Sequence, residues 1–203
     1  MSQRADILAR TPGLLRAELA AGKRSFTLGI EGISARLRAY YRKGIADADL
    51  DRIIRDILRE KPRELKLFYI LSGQEDATDR AEFAAFINRL HSDRATHAPG
   101  LRVIFSFGYL VRLPFTPLQF EAIRLDEESW LQPSEAVKQA VEERGFEFRF
   151  AQHFDEYCAE QVLALGGGTL ADWLAEGPEN GRVFAPNLAP EIWESLRAFA
   201  QAR

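Results

Sequence analysis

The stretch from Ser25 to Lys43, SFTLGIEGISARLRAYYRK, decides the fold: an apolar run carried by Phe26, Leu28 and Ile30 stops at Glu31-Gly32 and gives way to a basic, aromatic-rich segment. Strands of a parallel α/β sheet end in this way, delivering polar groups to the carboxyl edge of the sheet, where such folds keep their ligands.

Working outward, residues 12–22 read as a short helix with Leu14, Leu15 and Leu19 on one side and Gly22 at its stop. Downstream, Leu50, Ile53, Ile54, Ile57 and Leu58 recur at helical spacing, with Asp47 placed to cap the start and Pro62 after the end. Residues 64–71, ELKLFYIL, form a nearly continuous apolar run, as expected of a strand buried on both faces. A helix over 79–91 with Phe83, Phe86, Ile87 and Leu90 inward, a third strand over 101–111 and a proline-punctuated loop over 112–120 follow. Strand, helix, strand, helix, strand predicts right-handed parallel crossovers, hence an α/β sheet, with three strands too few to close a barrel.

From residue 126 the pattern changes. Ser134 can cap a helix to Arg144, residues 146–150 can form a short strand, and 154–165 read as helix; Trp173 and Trp193 sit on two further helical segments separated by the loop 177–186. The expected division is therefore 1–125 for the α/β part and 126–203 for an α-rich extension. Gly166, Gly167 and Gly168 have no preceding strand and no following Gly-Lys-Ser/Thr, so they read as a helix terminator rather than a phosphate loop.

With 203 residues, 46% hydrophobic and 28% charged, the chain has material for a packed domain. A net charge of -3 gives no electrostatic reason to expect nucleic acid or an anionic membrane. Cys158 is the single cysteine, which excludes an internal disulfide, a thiolate zinc site or a complete cysteine-ligated cluster within the chain and fits a reducing setting. No signal-peptide core or bilayer-length apolar run is evident, so a cytoplasmic protein is expected. His91, His97 and His153 show no metal-ligand spacing, and Cys158 reads as a packed thiol on an apolar helix.

One family pattern runs through about half of the chain. Glu31, Gly32, Ser34, Arg36, Arg38, Lys43-Gly44, the strand Leu65-Lys66-Leu67-Phe68-Tyr69, then Ser72-Gly73-Gln74-Glu75 and Pro114-Phe115-Thr116-Pro117-Leu118-Gln119, stand in an order and spacing that resemble the second half of a radical S-adenosylmethionine (SAM) core. The branch resembled is the one that often carries an amino-terminal cobalamin-binding domain. The resemblance implies a partial (β/α) barrel, half of such a core with three parallel strands. It implies that Glu31, Ser34, Arg36 and Lys43 bind SAM, with Glu31 facing its amino group or ribose and Lys43 its carboxylate. Lys66, Tyr69 and Ser106 are the candidates for contact with substrate. No residue is assigned a catalytic or metal-ligating role.

The departure from the family is the missing CxxxCxxC loop, so a 4Fe-4S cluster can come only from residues outside this chain, and the opening MSQRADIL resembles the tail of a third strand of such a core and its following loop. The resemblance then implies a partner, a cluster-bearing amino-terminal half or subunit, with cobalamin a further option. It implies reductive SAM cleavage followed by radical modification or methyl transfer in the completed enzyme, and no such activity for the chain alone.

Ordinary alternatives stand beside each assignment. Glu31 and Ser34 can be a solvated turn carboxylate and a helix cap. Lys43 can be an exposed lysine of the patch Arg36, Arg38, Arg42, Lys43, which also admits a nucleic-acid reading, ranked well behind given the acidic net charge. Lys66 can face a cavity or form a structural ion pair. From a different class comes a non-catalytic scaffold that keeps the half-barrel shape, and exposed strand edges predict self-association on either reading.

Overall fold

The computed structural model describes residues 3–11, 13–165 and 167–176. They divide into two compact units, one formed by 1–108 with 130–151 and the other by 109–129 with the residues from 152 onward.

The first unit is α/β, built on a five-stranded all-parallel sheet in the order β1 (Gln3–Arg4), β2 (Ser25–Glu31), β3 (Glu64–Leu71), β4 (Arg102–Tyr109), β5 (Glu147–Phe150). The count corrects the expected three strands: a two-residue strand precedes the quoted stretch, and the segment at 147–150 joins the same sheet. Between them lie α1 (Ala5–Arg10), α2 (Leu14–Ala20), α3 (Ala35–Tyr40), α4 (Asp47–Arg59), α5 (Ala77–His97) and α6 (Glu128–Glu142). The last of these carries Pro133 in its interior and starts well before the predicted cap at Ser134. Because α6 and β5 continue the β/α alternation, the observed units do not divide at 125/126.

Strictly sequential strand order has a geometric consequence. If every crossover is right-handed, each connecting helix falls on the same side of the sheet. Accordingly, α1 packs beside α4 and α4 beside α5. The stripe Leu50, Ile53, Ile54, Ile57 and Leu58 of α4 is buried as its spacing predicts, and so are Phe83, Phe86, Ile87 and Leu90 of α5.

The strands answer with alternation. In β2, Phe26, Leu28 and Ile30 are buried while Thr27, Gly29 and Glu31 are half-exposed; in β3, Leu65, Leu67, Tyr69 and Leu71 are buried while Glu64, Lys66, Phe68 and Ile70 are not. The expectation that β3 is buried on both faces is thus corrected: Lys66, Phe68 and Ile70 stay partly exposed, and only the face of Leu65, Leu67, Tyr69 and Leu71 is buried. Each fully buried Leu or Ile on that face contributes about 1.5–3 kcal/mol of transfer free energy. An aromatic cluster fills its centre. Tyr69 stacks on Phe105 and Phe107 at 5.9 and 5.1 Å between ring centroids, and Phe83 of α5 meets it edge-on at 5.4 Å.

The second unit contains a 3-10 turn at Pro117–Phe120 and the helices α7 (Phe154–Leu165) and α8 (Gly167–Glu176). The buried side chain of Gln161 on α7 accepts from the backbone N–H of Arg112 at 2.7 Å and donates to its carbonyl at 3.1 Å, standing in for a neighbouring strand. The predicted helix around Trp193 and the loop 177–186 lie outside the described residues.

Candidate functional site

At the carboxyl end of β2 the ladder with β3 slips between Gly29 and Glu31, where Glu31 takes the left-handed conformation at φ 74°. Such a bulge re-aims the side chain that follows it. The Glu31 carboxylate turns back over Gly29, so that a Cβ on residue 29 would lie 2.8 Å from Glu31 Oε1. Glycine at 29 keeps that space open.

Lys43 reaches the same point from the far end of α3. Arg42 adopts the left-handed conformation at φ 56°, its N–H bonds the Ala39 carbonyl at 3.0 Å, and the Lys43 N–H bonds the Arg38 carbonyl at 2.8 Å. These are the two bonds of a Schellman motif, with arginine in the position glycine usually takes. The turn sends Lys43 back to the sheet edge, where Nζ lies 3.3 Å from Glu31 Oε1 with both side chains only partly exposed. Arg4, at the end of β1, lies within electrostatic range of Glu31 as well, although its guanidinium, held above its ordinary value, is bonded chiefly to Asp6. Beside this pair is an open depression of about 500 Å³ lined by Ala35 and Ala39 of α3 and by residues 42–46.

Ser34 and Arg36 are placed differently from Glu31 and Lys43. Ser34 caps α3 by accepting from the Leu37 N–H at 3.2 Å, and its hydroxyl donates to Asp79 Oδ1 at 2.6 Å. Arg36 donates through Nε to the same oxygen at 3.1 Å, through Nη2 to the other oxygen, and through Nη2 to the Gln74 carbonyl at 2.9 Å. Asp79 also closes the capping box of α5 by accepting from the Asp76 N–H at 2.9 Å. Burial pushes the Asp79 carboxyl up, but Arg36, Ser34 and the Asp76 N–H outweigh it and hold the group below its ordinary value. One buried carboxylate therefore ties the start of α3 to the start of α5, next to a β3–α5 loop in which Glu75 accepts from the N–H groups of Ser72 and Gly73 and from the Ser72 hydroxyl.

The three substrate candidates separate by face. Lys66 lies on the partly exposed face of β3, opposite Thr27 in the register, with Nζ 4.6 Å over the Phe68 ring. Ser106 alternates with Phe105 and Phe107 and so lies on the same side of the sheet as Lys66, but there β4 is covered and Ser106 and Ile104 are both buried. Tyr69 is on the helix-covered face, where burial raises its phenol far above the ordinary value.

Asp47, read as the cap of α4, is instead the first residue inside that helix, where its carboxylate bonds the buried Arg38 guanidinium. The sequence reading also missed the roles of Gly29, Arg42 and Asp79. Only the Asp-x-x-Asp spacing of Asp76 and Asp79, a capping-box signature, marked one of them beforehand.

Among the described residues no group of histidine, cysteine, aspartate and glutamate side chains is arranged to hold a metal ion, and no helix is long and apolar enough to cross a membrane. Compared with known proteins, the chain matches no family model, no curated protein and no solved structure.

Proposed function

We propose that this chain is the carboxyl-terminal half of a radical SAM (β/α) core, in which Glu31 and Lys43 receive the methionyl end of S-adenosylmethionine. The observation that carries the reading is the convergence of these two side chains over Gly29, at the carboxyl edge of a parallel sheet whose strands run in sequential order. Sequential order is the arrangement of a (β/α) barrel, whereas doubly wound sheets reverse direction at a switch point.

The chemistry is complementary. A methionyl group presents an ammonium and a carboxylate on one carbon. Inserted between Glu31 and Lys43, it exchanges their ion pair for two charge-assisted hydrogen bonds, the ammonium to Glu31 and the carboxylate to Lys43. Ser34 and Arg36 act through Asp79 by fixing α3, and α3 in turn sets the turn that carries Lys43. Lys66, on the partly exposed face of β3, is the group we assign to substrate contact, with Ser106 buried on the same side of β4.

A 4Fe-4S cluster does not fit this chain, because Cys158 is buried on α7 and is the single thiol. The proposal therefore assigns the cluster to a partner half, gives the chain no catalytic residue, and places the assembly in a reducing, cytoplasmic setting.

The test is a chemical-shift titration of the chain with SAM, alone and with a separately expressed cluster-bearing amino-terminal half of a radical SAM core. Perturbations centred on Glu31, Lys43 and Gly44 that vanish in Glu31→Ala and Lys43→Ala support the reading. A shift map that avoids this corner, or none under either condition, overturns it.

A second reading, a non-catalytic scaffold, draws on the half-exposed Phe68 and Ile70 of β3, which suit a protein partner. Association with the partner half that is indifferent to SAM and to both substitutions favours it.

A further inference from the structure

A second binding locus, independent of the SAM reading, lies in the other unit. Arg112 follows the carboxyl end of β4 closely in the chain and has one of the largest fully buried side chains, with 1% exposure. Its backbone is fixed on both sides by Gln161, itself without solvent contact. Yet Nε and Nη1 have no hydrogen-bond partner among the described residues. Nε carries one N–H and Nη1 carries two, so most of the donors of a permanent cation are unanswered in a place that water does not reach.

The neighbourhood adds positive charge rather than cancelling it. Tyr157, one turn before Gln161 on α7, is buried and donates its hydroxyl to the Arg124 carbonyl at 3.2 Å. Burial raises its phenol to about 12, against the field of Arg112, a side-chain hydrogen bond with that guanidinium and the field of Arg124. No described carboxylate forms an ion pair with Arg112. An enclosed guanidinium with neither a counter-charge nor a full set of acceptors is strongly disfavoured, and native proteins meet this with an ion, a bound group or ordered water.

We propose that Arg112 is the anchor of an anion site in the second unit, which takes the carboxylate or phosphate group of a small ligand. Oxyanions match the planar donor set of a guanidinium, and the two sources of that chemistry differ in charge and in the number of oxygens offered. Gln161 is the positioning residue, because its amide holds the Arg112 backbone in place and leaves Nε and Nη1 of the side chain to the ligand.

The experiment observes the Nε–H of Arg112 directly in the ¹⁵N-labelled full chain, its cross-peak assigned by its loss in Arg112→Lys. Inorganic phosphate and acetate are titrated separately against chloride at constant ionic strength. A cross-peak that moves saturably, with half-saturation below about 10 mM for phosphate or for acetate, supports the site and says which group it takes. A parallel thermal melt should show stabilisation by that anion in the parent chain and its loss in Arg112→Met. A cross-peak that stays fixed, or drifts linearly with every anion to about 100 mM, overturns the proposal. If the variants fail to fold, through-bond assignment of the parent cross-peak replaces them and the same titration decides. Neither outcome depends on Glu31 or Lys43, so this site and the SAM reading fail separately.

Discussion

Lys43 Nζ stands 3.3 Å from Glu31 Oε1, and both residues are delivered to that contact by backbone in the left-handed region, Glu31 in its own conformation and Lys43 through Arg42 before it. Two non-glycine residues with positive φ, Glu31 at the end of β2 and Arg42 just past the end of α3, thus set up one ion pair. Each such residue costs on the order of 1 kcal/mol or more, and strain of this kind concentrates at functional sites.

Glu31→Gly should therefore be more stable than Glu31→Ala by about 1 kcal/mol, since both lose a partly exposed ion pair but only glycine is relieved of the backbone strain. Urea denaturation of the two variants measures the difference. Equal midpoints would show that the conformation at residue 31 carries no strain.

Gly29→Ala should separate binding from stability. The added Cβ meets the mobile end of the Glu31 side chain rather than backbone, so the chain should stay within about 1 kcal/mol of the parent. The carboxylate must nevertheless leave its place beside Lys43, and on the proposed reading SAM affinity should fall by about tenfold, on the order of 1.4 kcal/mol. Unchanged affinity in calorimetry with the cluster-bearing half would remove Gly29 from the site.

Asp79→Asn should cost about 2 kcal/mol near neutral pH, the value of charge-assisted bonds at a buried carboxylate, reduced because Arg36 is half-exposed. The sign with pH follows from linkage. The folded carboxyl titrates below its unfolded value, so its contribution is complete above the unfolded value near ~4 and is lost as pH falls through the folded one. The stability gap between parent and variant should hold from about pH 7 to 5 and close in stronger acid. A gap that grows on acidification contradicts this.

Tyr69→Phe should change stability by less than about 1 kcal/mol, because the ring is held by Phe83, Phe105 and Phe107, whereas Tyr69→Ala should cost about 3–5 kcal/mol through the cavity it leaves. Thermal melts test both. If Tyr69→Phe melts normally but abolishes activity of the proposed assembly with a cluster-bearing half, the phenol has a role beyond packing.

The parts of this architecture that follow from local periodicity were legible in the sequence. Helix α4, its buried stripe and strand β3 can be read from Leu50 to Leu71, because spacings of three and four residues mark the helix and a short, nearly continuous apolar run marks the strand. The membership of the sheet was legible only in part. The opening MSQRADIL resembles the tail of a strand and 146–150 read as a short strand, but the pairing of Gln3–Arg4 with Leu28 and Gly29 and that of 147–150 with β4 are tertiary facts. Alternation was hidden in β3 because Phe68 and Ile70 are apolar although their face of the strand is partly exposed. At the candidate site, the twelve-residue interval from Glu31 to Lys43 was visible, but the bulge and the arginine-centred turn that close it depend on conformations no residue type there advertises. The orphaned donors of Arg112 likewise emerge only once the chain is folded around them.

The sequential order of the strands also bears on how the chain is made. Each strand from β2 onward pairs with the one synthesised just before it, so its template is complete before it leaves the ribosome. The sheet can grow one strand at a time in the direction of translation, without waiting for distant sequence to return and wedge itself between neighbours already paired. Long-range closure, usually the slow step for parallel sheets, is thereby divided into several short ones.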